Sequence, residues 1–361
     1  MRLAPLSLAA GFALAVAVSA QVSSVAPDER VALFPSFASR IADRPDAWRA
    51  AVRGQVFQPK EDSRIRAAIL DAALDALDVG DAERPVASAR LRPFLVDDHR
   101  FERIVVAIGA RRVELPRSRA DGSFTGEVVV EGDDAATIDG SLAVRVVLPD
   151  GDLREFGARI ACLEPDGVSI VSDVDDTVRL GSGGDPLSRV RDAIVAEYRA
   201  IPGMADAYRE LAADGAAFHW LTAAPWPLHE PYASFLREAG FPVGSLRMRS
   251  LAFTTSNIVG LLADPSTHKR RALDELLGAF PRRRFVLIGD ALESDPEIYG
   301  DVARRHPGQV ALVLIREDDA KPLDAKRIAV AFDEVLPARY ATFRDPAGLP
   351  ATVVAALRSD R

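Results

Sequence analysis

The spacing of apolar positions changes character twice along the chain. Ala26 to Arg53 mixes short apolar runs such as Val31 to Phe34 with a predicted helix near Pro45 to Ala51, and Gln55 to Pro59 reads as a strand closed by a breaker. Ser63 to Leu77 carries Ile65, Ile69, Ala73 and Leu77 at helical spacing, which predicts an amphipathic helix ending before Gly80. From Ala87 the runs become short and β-rich: Phe101 to Ile108, Arg112 to Leu115, Gly122 to Val130, Ser141 to Leu148 and Arg154 to Leu163. Asp121-Gly122, Gly132-Asp133 and Pro149-Asp150-Gly151 supply turn chemistry between several of them. Their number and spacing predict a small antiparallel sandwich.

From Val168 onward, strands alternate with helices. The predicted strands are Val168 to Val171, Ala217 to Leu221, Phe285 to Ile288 and Val310 to Ile315. The predicted helices are Asp185 to Arg199, Met204 to Asp214, Tyr232 to Ala239, Lys269 to Phe280 and Glu297 to Arg305. Such alternation implies a parallel sheet covered by helices on both faces. The expected fold is therefore α/β: a three-layer parallel-sheet domain preceded by a smaller β-rich, sandwich-like one. The expected divisions are residues 1–20 (export signal), 21–86 (mixed segment with helices), 87–165 (β-rich domain), 166–320 (α/β domain) and 321–361 (extension).

Composition and charge narrow the function classes. The 361 residues are 48% hydrophobic and 27% charged, ordinary for a globular chain. A formal net charge of −8 argues against nucleic acid bound through bulk charge. Cys162 is the one cysteine, so no intrachain disulfide forms, and its strand-like setting reads as a small buried hydrophobe. The five histidines have no zinc-site spacing. Arg2, the uncharged run Leu3 to Val18 and Val18-Ser19-Ala20 read as a secretory signal cleaved before Gln21, with an uncleaved anchor as the alternative. The expected location is periplasmic or secreted.

The candidate chemistry begins where the strand Val168 to Val171 runs into Ser172-Asp173-Val174-Asp175-Asp176-Thr177. A buried strand ends in acids only where water, a cation or donors meet them. Asp173 and Asp175 are two apart, so an extended backbone turns them to one face and Asp176 away. Thr222 and Asp290 each lie just past the apolar run of another predicted strand, and open α/β sheets form their sites at strand C-termini. These groups suit phosphoryl transfer. Asp173 is the candidate nucleophile and Asp175 the acid/base. Thr222 offers a hydroxyl and Lys269 an ammonium to the transferred group, and Asp290 a carboxylate to a hard cation such as Mg²⁺. Thr177, Glu293 and Asp295 are supporting candidates. Plainer readings stand beside these: Thr222 as a turn or cap, Lys269-Arg270-Arg271 as a solvated helix start, Asp295 before Pro296 as an N-cap, and Trp226 as a packing residue or part of the entrance. Gly181 to Gly184 matches no nucleotide fingerprint and reads as a flap beside the site.

The motifs, in order, resemble those of the haloacid dehalogenase superfamily: Asp173-Val174-Asp175-Asp176-Thr177, Thr222 after a strand, Lys269 at a helix start, and Gly289-Asp290 with Asp295. Pro225-Trp226, Phe241-Pro242, His268-Lys269 and Leu287 to Tyr299 bring the resemblance closer to the catalytic domain of actin-patch-protein type phosphatidate phosphatases, over about Val168 to Glu317. The resemblance implies Mg²⁺-dependent hydrolysis of phosphatidate through a phospho-aspartate. It also implies metal held by the Asp173 and Asp290 side chains and by the Asp175 backbone carbonyl. Ala291-Leu292 and Ala223-Ala224 depart from the serine-glycine and the small polar residues usual there, which bears on substrate choice. The segment between Thr222 and Lys269 is too short for a large cap, so an open site is expected, suited to a bulky phosphomonoester or a phospholipid at a membrane surface. Leu180, Leu187, Leu251 and Phe253 are candidates to meet acyl chains. Other phosphomonoesters or phosphoproteins, or a lipid- or partner-binding module without catalysis, are the alternatives. The β-rich domain's partner is not legible.

Overall fold

A computed structural model describes residues 22–60, 63–181, 185–249, 266–318 and 323–359. The export signal, most of the glycine flap, Leu251 and Phe253 lie outside the described residues.

The first sheet contains β1 (Arg30–Leu33), β2 (Ser36–Ile41), β3 (Arg44–Pro59), β4 (Val96–Asp98), β5 (Val105–Ile108), β6 (Arg111–Glu114), β7 (Ser123–Glu131), β8 (Ser141–Val146) and β9 (Gly157–Leu163). Its order is β1-β3-β2-β9-β8-β5-β6, with β4 and β7 also on β3. Every pairing is antiparallel except β2 with β9. The predicted helix near Pro45 to Ala51 is therefore wrong; those residues begin β3. Trp48, Ala50, Val52 and Val56 are buried at period two, and the alanines between larger residues weakened that signal. Gly54 continues the buried row because a Cβ there would stand 2.3 Å from the Phe124 ring.

The helices Arg64–Ala76 and Arg84–Leu91 leave this sheet and pack on the α/β domain. Ser63 caps the first through Oγ accepting from Arg66 N at 3.4 Å. Leu74, Leu77, Ala87 and Leu91 share a core with Ile170, Trp220 and Tyr208. Ile65, by contrast, is 74% exposed, while Ala73 and Leu77 of the same row are buried beside Leu74, so the predicted face is buried only toward its C-terminal end.

The second sheet is parallel throughout, in the order β12-β11-β10-β13-β14-β15. The strands are β10 (Val168–Asp173), β11 (Ala217–Pro225), β12 (Gly244–Arg249), β13 (Arg284–Asp290), β14 (Val310–Arg316) and β15 (Tyr340–Phe343). Alternate residues face opposite cores. Ile170, Val286, Ile288, Leu312 and Leu314 face the helices Met204–Ala213, His229–Glu238 and Leu349–Ser359. Val171, Phe285, Leu287, Val313 and Ile315 face Ser266–Ala279, Asp295–Arg305 and Ala325–Ala331. The three-layer α/β expectation holds. β12 and β15 escaped prediction because one is arginine-rich with two buried residues and the other is four residues long. The chain passes from β10 to β11 on one side and later to β13 on the other. The order thus reverses between β10 and β13, where open α/β sheets place their ligands.

Candidate active site

Asp173 ends β10 and Asp290 ends β13, on either side of that reversal. Both are essentially inaccessible, as are Asp295 and Lys269. One oxygen each of Asp173, Asp290 and Asp295 lies within 4.8 Å of the others. Lys269, on the helix Ser266–Ala279, binds the group together: its Nζ is 2.7 Å from Asp173 Oδ1, 2.6 Å from Asp295 Oδ1 and 3.3 Å from Glu293 Oε2. Thr177 Oγ1 donates to Asp173 Oδ2 at 3.2 Å.

Asp290 is fixed by its own loop. Its Oδ1 accepts from Leu292 N at 2.6 Å and Glu293 N at 2.8 Å, so Ala291-Leu292 still forms the tight turn. Its Oδ2 is buried without a hydrogen-bond donor. Asp295 Oδ2 accepts from Asp290 N at 3.3 Å, which ties the end of β13 to the start of the following helix. Gly289 makes this approach possible: a Cβ there would stand 2.4 Å from Asp295 Oδ2. Asp295 is the first residue of the helix Asp295–Arg305 rather than its N-cap, which is Ser294.

Asp175 belongs to a second group. Arg179 Nε donates to its Oδ1 at 2.7 Å and Nη2 reinforces the pair. Thr222 Oγ1 donates to Oδ2 at 2.9 Å, and Tyr232 OH lies 2.9 and 3.0 Å from the two oxygens. The side chains of Asp173 and Asp175 thus meet different partners, and Asp175 is not among the clustered carboxylates; Asp295 takes the third place. Thr222 sits where the register of β11 against β12 shifts, between Leu221 and Pro225, which turns its hydroxyl to Asp175. Asp176 is left-handed (φ 57) and buried, its carbonyl accepting from Arg316 Nη1 at 2.8 Å.

The electrostatics of the two groups are opposite. Burial pushes the Asp173 carboxyl well above the usual range, and Asp295, Glu293 and Asp290 add to this while Lys269 opposes it. Asp290 is raised likewise, by burial and then by Asp295 and Glu293. For Asp175 burial is the largest influence and also acts upward, but Arg179, Tyr232 and Thr222 together outweigh it and hold the carboxyl below its ordinary value. Lys269, and Arg189 Nε at 3.4 Å from Glu293 Oε1, answer only part of the charge of Asp173, Asp290, Asp295 and Glu293, and a divalent cation at the open Oδ2 of Asp290 would balance the rest. The oxygen-only donor set suits a hard ion of the Mg²⁺ kind.

Sequence reasoning reached Asp173, Asp175, Thr222, Lys269, Asp290, Thr177, Glu293 and Asp295, and the structure brings all of them to these two adjoining groups. It missed Arg179 and Tyr232. The position of Arg179 four residues after Asp175 was the available signal; nothing in the sequence marks the Tyr232 phenol. Among the aliphatic candidates, Leu180 is 43% and Leu187 47% exposed. Trp226 is buried and packs on Phe57, with ring centroids 5.2 Å apart, so it is a packing residue. Outside the α/β domain, among the described residues, Glu29, His99 and Glu102 form one further group of metal-ligand types, in which His99 Nδ1 meets Glu29 Oε1 and Nε2 lies 3.3 Å from Gln58 Oε1. Cys162 is half-buried, its thiol pushed up to about 11 by burial. No helix among the described residues is long and apolar enough to cross a membrane.

An uncharacterized protein of Schizosaccharomyces pombe is 25% identical over 222 residues, which are 55% of this chain and 36% of that protein. The phosphatidate phosphatase APP1 of Saccharomyces cerevisiae is 26% identical over 159 residues, 43% of this chain and 26% of its own length. The chain thus spans about a third or less of the length of these curated relatives. Among solved structures, a D,D-heptose 1,7-bisphosphate phosphatase from B. bronchiseptica complexed with magnesium and phosphate aligns at a TM-score of 0.32 and 13% identity, over 52% of this chain and 98% of that one; a likeness so slight carries no weight. Residues 168–317 match the family described as "Phosphatidate phosphatase APP1, catalytic domain", so the resemblance read from the motifs holds over the segment that carries the whole acidic site.

Proposed function

We propose that the chain is a Mg²⁺-dependent phosphatase that works through a phospho-aspartate at Asp173 and hydrolyses phosphatidate to diacylglycerol and phosphate. The observation that carries this reading is the clustering of Asp173, Asp290 and Asp295 within 4.8 Å at the sheet's reversal point, with Lys269 bound to Asp173 and Asp295. Asp173, Asp290 and Asp295 are the residues to hold the metal, which when bound would offset the buried negative charge and that of the phosphoryl oxygens.

Lys269 favours the ionised form of Asp173 against burial and fixes its direction, and a bound cation would complete that ionisation, so that one carboxylate oxygen attacks phosphorus as the bond to the glycerol oxygen breaks. The departing alkoxide takes a proton from Asp175. Water then attacks the phosphorylated Asp173, Asp175 takes back a proton, and inorganic phosphate leaves. The described state of Asp175, ionised and held by Arg179, suits the second step. The first requires the Arg179 contact to loosen so that the carboxyl can carry a proton. Thr222 orients Asp175 through its hydroxyl, a positioning role where the sequence pointed to contact with phosphate.

Phosphatidate as substrate rests on the matched family and on Leu180 and Leu187, which stay exposed beside the acidic loop. The test is hydrolysis of phosphatidate in mixed micelles and of a chromogenic phosphomonoester, with and without Mg²⁺. The expected result is Mg²⁺-dependent release of phosphate with phosphatidate preferred. Preference for the small ester would replace the lipid by a soluble substrate. No turnover of either by a folded protein would favour a binding module.

A further inference from the structure

Between the two sheets lies a cavity of about 140 Å³, lined in part by β3, β7, β12 and the helix Ser266–Ala279. Its walls carry four guanidiniums, those of Arg53, Arg119, Arg247 and Arg271, against the single carboxylate of Glu275. Glu275 is already shared. Its Oε2 accepts from Arg53 Nη2 at 2.9 Å and Arg247 Nη1 at 3.1 Å, and its Oε1 from Arg271 Nε at 3.0 Å. Arg53 Nε, Arg247 Nη2 and His268 Nε2 are buried with no hydrogen-bond partner. Only 11% of the Arg247 side chain is exposed. Burial and the neighbouring Arg53 press its guanidinium down to about 9, the response of a cation short of negative charge.

Buried donors go unpaired in native proteins only where water, an ion or a ligand completes them. The volume is far above the roughly 10–15 Å³ that one water occupies on this kind of measure. Water would fill the space but would leave the excess positive charge unanswered. A tetrahedral oxyanion answers both needs, since its oxygens accept from several guanidinium forks at once. We infer that this cavity is a second, non-catalytic site for a phosphate group, carried by inorganic phosphate or by a phospholipid headgroup. It is separate from the acidic centre yet next to it: His268 lines the cavity, and Lys269, the following residue, binds Asp173.

The site is tested by isothermal titration of the full chain with inorganic phosphate and with sulfate in EDTA, conditions under which the metal-free acidic centre repels anions. A parallel arm measures sedimentation with phosphatidate-containing and with phosphatidylcholine-only vesicles. Arg119→Gln combined with Arg271→Gln changes two exposed guanidiniums, which spares folding; Arg247→Gln tests the buried one. Saturable binding of either ion that the double variant weakens by at least about tenfold, the worth of one charge-assisted hydrogen bond, supports the site. Asp173→Asn should leave that binding intact. If neither ion binds, a loss in the double variant of binding to phosphatidate vesicles alone assigns the site to a lipid headgroup. Ion binding equal in wild type and double variant overturns the inference. So does absence of ion binding at millimolar concentration together with vesicle binding that the variants do not change.

Discussion

Arg179 Nε lies 2.7 Å from Asp175 Oδ1, and both side chains are sequestered from water, so the proposed acid/base is tied to a cation four residues along its own loop. Arg179 in turn lies over Tyr198 and Tyr232, 4.7 and 5.7 Å from the ring centroids, which holds the guanidinium in place. Replacing Arg179 by methionine removes the influence that keeps the Asp175 carboxyl low, while burial still pushes it up. The alkaline limb of kcat/KM against pH, set by the proton Asp175 gives the alkoxide, should then move to higher pH, and kcat at neutral pH should fall by at least about tenfold because less of the carboxyl is ionised to act as the base of the second step. Arg179→Lys should restore part of the shift. A profile that does not move would show that Arg179 serves packing alone.

Lys269 neutralises part of an acidic cluster that water does not reach. Lys269→Met leaves Asp173 and Asp295 buried and facing each other, a loss of order 3–5 kcal/mol. Its thermal unfolding in EDTA should fall well below that of the wild type, and millimolar Mg²⁺ should recover part of the difference. Equal stabilisation of both proteins by Mg²⁺ would argue that the ion does not bind among these carboxylates.

Gly289 touches no reacting atom, yet a methyl group there would stand 2.4 Å from Asp295 Oδ2 and 2.7 Å from Tyr299 Cε2. Gly289→Ala should displace Asp295 and raise the Mg²⁺ concentration for half-maximal activity about tenfold or more. The far-UV spectrum should stay unchanged. Unaltered Mg²⁺ dependence would remove Asp295 from the metal site.

His219 gives a pH prediction away from the chemistry. Burial, then Arg283 and Arg247, press its imidazole down to about 3, while Nδ1 lies 2.8 Å from Ser245 Oγ and Nε2 3.2 Å from Ser169 Oγ. The unfolded chain binds a proton there near the ordinary value of about 6.5, and the folded chain does not. The stability this neutral histidine allows is present in full above pH 6.5. It is lost as pH falls toward 3, at up to about 1.4 kcal/mol per pH unit. His219→Gln should flatten the fall of unfolding free energy between pH 6 and pH 4, read by urea titration. An unchanged slope would place the lost protons elsewhere.

The α/β domain was legible because its strands are unbroken apolar runs that end in the residues of interest; Asp173 and Asp290 were found by that abruptness alone. Helix starts and glycine stops located the rest of the layer. β3 was misread in its first half because Ala47, Ala50 and Ala51 carry little β signal. Only tertiary pairing with β2 and β7 shows that the stretch is extended. Within the site, residue types were legible and partners were not. Thr222 and Asp175 are 47 residues apart, and the register shift in β11 that joins them leaves no mark on hydrophobic period. The export reading of residues 1–20 rests on sequence alone.

The central claim is that Asp173 carries the phosphoryl group between two half-reactions. Its most direct measurement is acid quenching of the enzyme during turnover of ³²P-labelled phosphatidate with Mg²⁺, followed by mapping of protein-bound label. The expected result is an acid-stable, base- and hydroxylamine-labile label on the peptide containing Asp173, absent from Asp173→Asn, which should also lose turnover. Turnover by Asp173→Asn at the wild-type rate, or label that persists in that variant, would contradict the account.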